Sequence, residues 1–260
     1  MISQSSPYGL RGTATAVLLV RDPVVAGRLA KGRILGLPSI SIIIPVVNEA
    51  TVIEKTLRPL QPMRERGVEI IVVDGGSSDQ TRELSLPYID RWVKSDSVGR
   101  ALQMNRGAEL ARAEVLWFLH ADTQVPEESD QTILQALQKQ LWGRFNVRLS
   151  GDRMLLRLVE MMMNLRSCWS GIATGDQGIF LSRSLFLELG GFPEIPLMED
   201  VAISRELRKR GRPLCIRQRV VTSSRRWEER GVIKTILLMW GLRFGYWAGV
   251  SPQRLARMYR

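Results

Sequence analysis

The residues of this chain that could do chemistry stand where apolar runs stop. One run, Ile42-Ile43-Ile44-Pro45-Val46-Val47, ends in Asn48-Glu49, and a second, Ile70-Ile71-Val72-Val73, ends in Asp74-Gly75-Gly76-Ser77-Ser78-Asp79. Ligands of open α/β sheets bind outside the carboxyl ends of the strands. Acidic tips there suit a ligand that donates hydrogen bonds, such as a nucleobase or a ribose. A third run, Trp117-Phe118-Leu119, ends in His120-Ala121-Asp122. Residues at i and i+2 of an extended segment point the same way, so this pair can hold a divalent cation and leave positions open for phosphate oxygens. The bland alternative is an aspartate bonding its own turn beside a packed histidine, His120 being the only one in the chain.

Three further groups face a similar choice. Glu199-Asp200 suits either a general base that takes a proton from an incoming hydroxyl or a helix start favoured by the dipole. Arg225-Arg226-Trp227 offers a planar cationic clamp for phosphate oxygens with an aromatic wall, or a solvated basic loop. Arg100 and Asn105 on one expected helix, and Asp176 within Gly175-Asp176-Gln177, either reach a pocket or serve structure alone.

Positioning these groups takes an alternating fold. The pattern predicts a strand over 39–47, a helix over 50–60 ended with help from Pro59 and Pro62, and a strand over 68–74. A helix from 79, a strand over 91–94, a helix over 100–112 and a strand over 114–119 follow. Pro126 is expected to open the next helix, with Glu127 and Glu128 in its first turn. This α/β alternation implies a largely parallel sheet with helices on both faces. The second half is less regular. Strands are expected over 145–149, 179–181 and 214–221, a Met-rich helix over 154–165 that would shape the pocket, a helix ending at 210, and a last amphipathic helix over 232–247.

Bulk properties bound the reading. The chain has 260 residues, 45% hydrophobic and 24% charged, which is ordinary for a globular protein. Cys168 and Cys215 lack metal-type spacing and read as reduced thiols of a cytoplasmic protein. No secretory signal and no bilayer-spanning run is expected. Residues 1–38 read as a basic, partly disordered leader. The net charge is +11, yet residues 204–260 hold 15 Lys/Arg against 3 Asp/Glu, so the surplus is C-terminal. Such a patch attracts nucleotides, anionic head groups or nucleic acid. In the last helix Ile233, Ile236, Leu237, Trp240, Phe244 and Trp247 share one face. That face either lies peripherally on the inner face of the cell membrane or packs on the domain or a second copy.

Taken in order, these motifs resemble the family 2 glycosyltransferases, which have the GT-A fold. The resemblance covers about residues 39–227 and also rests on residues 99–108, Gly-Arg-Ala-Leu-Gln-Met-Asn-Arg-Gly-Ala. It is closest to a compact bacterial subgroup, the radical-SAM/selenodomain-associated transferase 2. It implies a Rossmann-like, mostly parallel central sheet with helices on both faces and a smaller acceptor-side region. The nucleotide-binding half would be 39–122, the acceptor half 123–227, and 228–260 a basic amphipathic helix and tail. The implied activity is an inverting, hexosyltransferase-type transfer from a UDP- or GDP-sugar to a hydroxyl acceptor, with a lipid-linked acceptor in view. Pro45, Glu49, Asp74, Asp79, Arg100, Asn105, Asp176, Arg225, Arg226 and Trp227 would serve the nucleotide sugar. Asp122, with His120, would hold Mn2+ or Mg2+, and Asp200 would be the base with Glu199 beside it.

Two departures qualify the resemblance. The family's Asp-X-Asp reads His120-Ala121-Asp122, one carboxylate short, and the processive Gln-X-X-Arg-Trp element is replaced by Ser223-Ser224-Arg225-Arg226-Trp227. The second departure, with no spanning helix expected, argues against a polysaccharide synthase. A basic nucleic-acid-binding protein would account for the tail and leave the acidic strand ends unexplained, so no specific nucleic acid is expected. A catalytically degenerate nucleotide-binding protein is the other rival.

Overall fold

The computed structural model describes residues 37–96 and 98–259. The expected leader, apart from its last two residues, lies outside the described residues. The first half alternates as the pattern requires: β1 (Ser41–Val46), α1 (Ile53–Leu57), α2 (Gln61–Glu65), β2 (Glu69–Asp74), α3 (Thr81–Ser85), β3 (Arg91–Lys94), α4 (Arg100–Leu110), β4 (Val115–Phe118) and α5 (Ser129–Leu137). The second half runs β5 (Trp142–Leu149), α6 (Met154–Ser170), β6 (Phe180–Ser182), α7 (Arg183–Glu188), α8 (Glu199–Arg210), β7 (Leu214–Thr222), α9 (Arg225–Arg230), α10 (Val232–Trp247) and α11 (Pro252–Tyr259).

The seven strands form one sheet in the order β3-β2-β1-β4-β6-β5-β7. All neighbours are parallel except at β6, which runs antiparallel to β4 and to β5. The sheet is therefore mostly parallel and mixed. Its central strands are continuous apolar runs because both faces are covered. Ile42, Ile44, Ile70 and Val72 meet Ile53, Leu57, Met63 and Ile133 on one face. Ile43, Ile71 and Val73 meet Ala101, Met104, Ala108, Ile203 and Leu207 on the other. Gly107 lets α4 lie directly on the strands, since a Cβ there would stand 2.5 Å from Ile43 Cγ2 and 3.0 Å from Val73 Cγ2.

Some expectations need correction. Pro59 and Pro62 do not end the first helical stretch. Each occupies the first positions of a further helical turn, where a missing N–H costs nothing, and the stretch runs on to Glu65. Pro126 precedes its helix, which starts at Ser129 with Glu128 as N-cap. The segment from Arg225 is a short helix and not a loop, and α11 follows the last expected element. Cys168 and Cys215 are not free thiols: they form a disulfide with Cα atoms 5.9 Å apart, tying α6 to β7. Among the described residues no helix is long and apolar enough to cross a membrane.

The last helices dock on the domain by one face only. Val232 packs with Leu149, Leu156 and Val159, and Leu242 packs with Met198, Val201 and Leu255.

Candidate active site

The strand order creates the site. β1 pairs with β4 only as far as Ile43 and Phe118, but with β2 as far as Val46 and Asp74. Beyond Ile43 the two strands part, and Pro45, which has no N–H to give, lies just past the last shared rung. A crevice of this kind at the carboxyl ends is where α/β sheets bind ligands.

On the β1–β2 side the two tips are knitted together. Asn48 adopts the left-handed conformation at φ 54°, which asparagine tolerates better than most residues. Its backbone N–H donates to Ser77 Oγ at 3.0 Å and its Oδ1 accepts from the Ser78 N–H at 2.8 Å. The Glu49 N–H donates to Thr81 Oγ1 at 2.8 Å and the Ala50 N–H to Asp79 Oδ2 at 3.1 Å. Asp79 therefore braces the loop from beneath. From below, Gln103 Nε2 donates to the carbonyls of Val46 at 2.9 Å and Val73 at 2.8 Å, holding both strand ends to α4. Asp74 is buried, its Oδ1 accepting from Ser77 N at 2.8 Å and Ser77 Oγ at 2.6 Å. At the opposite end of β2, Glu69 meets Arg112 at 2.8 Å and Arg91 at 3.6 Å, a fully paired structural carboxylate.

Charges of both signs gather across the crevice. Burial and the neighbouring Asp122 push the Glu49 carboxyl above its ordinary range, while Arg225 and Arg100 pull it back. Asp122 Oδ1 accepts from Thr222 Oγ1 at 3.4 Å. Arg226 feels Arg100, Arg230 and Asp122 and stacks on Tyr259, its Cζ 4.4 Å from the ring centre. Arg100, Arg225 and Arg226 thus surround Glu49 and Asp122. His120 is half-buried, and its pKa falls to about 3 through burial and then the charges of Arg100 and Arg226. Its Nε2 has no hydrogen-bond partner and faces Gly175 so closely that a Cβ there would stand 2.5 Å away. His120 is a neutral imidazole, the form that can ligate a metal, with its Nε2 directed toward Gly175.

Arg100, His120, Gly175, Glu199 and Asp200 line one cleft over Phe118. Glu199 and Asp200 open α8, next to Met198 in a left-handed conformation at φ 71°. Asp200 Oδ2 accepts from the Gly175 N–H at 2.9 Å and Oδ1 from the Val201 N–H at 2.7 Å. Glu199 Oε1 lies 3.5 Å from Arg100 Nη1. Burial, then the adjacent Asp200, raises the Glu199 pKa, and Arg100 offsets part of the rise.

Two expected donor-site residues have their contacts elsewhere, and a third, Asp176, lies beside Asp200. Asn105 donates to the Phe192 carbonyl at 2.9 Å and accepts from the Phe192 N–H at 2.8 Å, so both ends of its amide are used on the loop before α8. Trp227 packs against the cluster under α6 and α10 and forms no wall for the crevice. Asp176 is buried beside Asp200, with burial and then Asp200 raising its pKa against Thr174, Arg166 and Arg243. The Met-rich stretch does not shape a pocket either, since Met154, Met161 and Met162 are exposed.

Two functional candidates were not legible as such. Arg166 on α6 and Arg243 on α10 are deeply set guanidiniums whose charges act on Asp176 and Asp200. The signal was an arginine within each of two apolar helices, Arg243 being the one arginine of α10 and Arg166 one of two in α6.

Among the described residues no group of three or more His, Cys, Asp or Glu could hold a metal ion unaided. Asp122 can supply one oxygen. Hard divalent cations are often held by one or two carboxylates with phosphate oxygens and water completing the shell, and the donor set here fits that pattern.

Residues 41–144 match the family model described as glycosyl transferase family 2. Over that stretch the chain is similar to glycosyl transferase family 2. An uncharacterized glycosyltransferase of Mycobacterium tuberculosis is 28% identical over 169 residues, covering 60% of this chain and 63% of the relative. The chain thus spans less than two thirds of that protein's length. Validoxylamine A glucosyltransferase of Streptomyces hygroscopicus is 34% identical over 107 residues, 38% of this chain and 25% of that protein.

Several solved structures share the fold. Mannosyltransferase PcManGT from Pyrobaculum calidifontis, in complex with GDP-Man and Mn2+, superposes with a TM-score of 0.55 at 19% identity, over 80% of this chain and 66% of that one. Glucosyl-3-phosphoglycerate synthase from M. tuberculosis, with Mn2+, UDP and phosphoglyceric acid, gives 0.55 at 18% identity, over 76% and 73%. S. aureus TarS with UDP-GlcNAc gives 0.58 at 16% identity, over 71% and 58%.

Proposed function

We propose that this chain transfers a sugar from a nucleoside-diphosphate sugar to a hydroxyl acceptor, with inversion at the anomeric carbon. The observation that carries the reading is the meeting of Asp200 and Arg100 in one cleft at the sheet's crevice, next to the acidic tips Glu49, Asp74 and Asp122. Asp74 and Glu49 receive the donor hydroxyls and N–H groups of the nucleoside. Arg100, Arg225 and Arg226 face the diphosphate. Asp200 takes the acceptor proton as that oxygen bonds to the anomeric carbon and the bond to the diphosphate breaks. Its two backbone hydrogen bonds fix the carboxylate for this role. Preorganised positive charge at the leaving group stabilises the transition state because it needs no rearrangement during the reaction. A divalent cation held by Asp122 would add Lewis-acid neutralisation of the diphosphate.

The donor base is expected to be uracil or guanine. Arg166 and Arg243 behind Asp200 suit an acceptor carrying negative charge, and a lipid-linked acceptor has that chemistry. The placement in the compact bacterial subgroup rests on the motifs alone.

Calorimetric titration with UDP, GDP and dTDP, each with Mn2+, Mg2+ or EDTA, tests the reading. One nucleotide should bind, more tightly with metal. Asp122→Ala should remove the metal enhancement and Asp74→Ala should weaken binding in all conditions. Absence of binding to any nucleotide would leave a scaffold without donor chemistry.

A further inference from the structure

Two neighbouring helices leave large apolar side chains in water. On α6 these are Met154, Leu158, Met161, Met162, Leu165 and Trp169, at spacings of three and four that put them on one face. Met154 is 88% exposed and Trp169 83%. On α10 they are Ile233, Leu237, Trp240, Phe244 and Trp247, again on one face, with Trp240 63% and Trp247 73% exposed. The helices pack side by side: Leu156, Val159 and Met163 of α6 meet Val232 and Ile236 of α10 in one cluster. Apolar patches of this extent on a protein surface mark an interaction site.

Charge selects the occupant. The stretch from Val232 to Tyr259 carries Lys234, Arg243, Arg254 and Arg257 and no acidic residue. Arg153, at the N-cap of α6, is exposed too. A second copy of this chain would bring the same positive charge to the contact. The N-terminal stretch is also basic, with Arg11, Arg21, Arg28, Lys31 and Arg33 against Asp22 alone. An anionic bilayer complements both properties, its acyl region taking the apolar faces and its head groups the basic side chains.

We infer that the outer faces of α6 and α10 form one surface that docks on an anionic lipid bilayer. The same two helices carry Arg166 and Arg243, whose charges act on Asp176 and Asp200, so the docked surface lies on helices that reach the neighbourhood of Asp200. This inference does not depend on the transferase reading.

Flotation of the full chain with vesicles tests it. The probes are phosphatidylcholine alone and phosphatidylcholine with about a third phosphatidylglycerol. The protein should float with the anionic vesicles, much less with the neutral ones, and less as salt rises. Trp240→Ser with Phe244→Ser on α10, and Leu165→Ser with Trp169→Ser on α6, should each lower partition by about tenfold or more, because each removes two buried anchors. All four positions are exposed, and an unchanged thermal melt and nucleotide titration will show the variants folded. Three results would overturn the inference: no flotation of the folded wild type, loss confined to one helix, or a dimer that the same variants convert to monomer without any flotation. Nucleotide binding is measured without vesicles, so failure here and failure of the transferase reading are told apart.

Discussion

Two adjacent carboxylates at the start of α8 sit in different surroundings, and their roles divide accordingly. Asp200 is held by two backbone N–H groups and faces the cleft, whereas Glu199 is buried and leans on Arg100. Asp200→Asn keeps shape and hydrogen-bonding capacity at one oxygen but cannot accept the acceptor proton. Turnover should fall by about 10²- to 10⁴-fold while nucleotide affinity, read by calorimetry, stays within about twofold. A variant that turns over normally would remove Asp200 as base. For Glu199 the prediction concerns stability. Its folded pKa stands above the ordinary 4.5. A carboxyl raised in this way contributes stability that is intact below 4.5 and is lost as pH climbs through the raised folded value. Glu199→Gln has no such loss. Urea midpoints taken from about pH 4 to pH 8 should therefore show the variant gaining on wild type toward neutral pH. A constant difference would mean that ionising Glu199 costs nothing.

At the scale of elements, local pattern and remote packing separate cleanly. The strand over 68–74 and the helix over 232–247 are set by runs of apolar residues that need no distant partner to be recognised, and both stand within a residue of where the pattern puts them. The strand-end carboxylates were legible for the same reason. Arg166 and Arg243 were not, because their meeting with Asp176 and Asp200 depends on α6 and α10 folding back over the sheet. Asn105 and Trp227 carried the residue types of a binding site, yet their orientation was decided by the Phe192 loop and by the α6–α10 cluster. The disulfide belongs to this class: Cys168 and Cys215 are 47 residues apart, and that spacing says nothing about pairing until α6 lies against β7. Crosslinking a loop of this size restricts the unfolded chain. Reduction, or Cys168→Ser with Cys215→Ser, should cost about 2–4 kcal/mol in urea unfolding. An unchanged midpoint would mean that the link adds nothing once α6 is docked.

Over the whole molecule, charge is unevenly spread, and the basic stretch reaches the crevice only through Arg225 and Arg226. Carboxylates collect at the crevice, and the surplus that makes the chain +11 lies in its last 57 residues, 204–260. A basic stretch of this kind attracts polyanions to the surface. The long-range attraction is nonspecific and screened: at 0.15 M salt the Debye length is about 8 Å, and each phosphate contact released steepens the salt dependence. The full chain should therefore retain duplex DNA or heparin at low salt, with no sequence preference, and release it at moderate salt. Nucleotide binding should survive the same salt step, because its partners are buried side chains at short range, such as Asp74. A competition titration distinguishes the two surfaces. DNA added at low salt should leave the UDP or GDP isotherm unchanged, since the basic surplus, Arg225 and Arg226 excepted, lies outside the group that faces the acidic strand tips. If DNA instead displaces the nucleotide one for one, the cleft is itself the polyanion site. The basic binding protein would then be the better account of this chain.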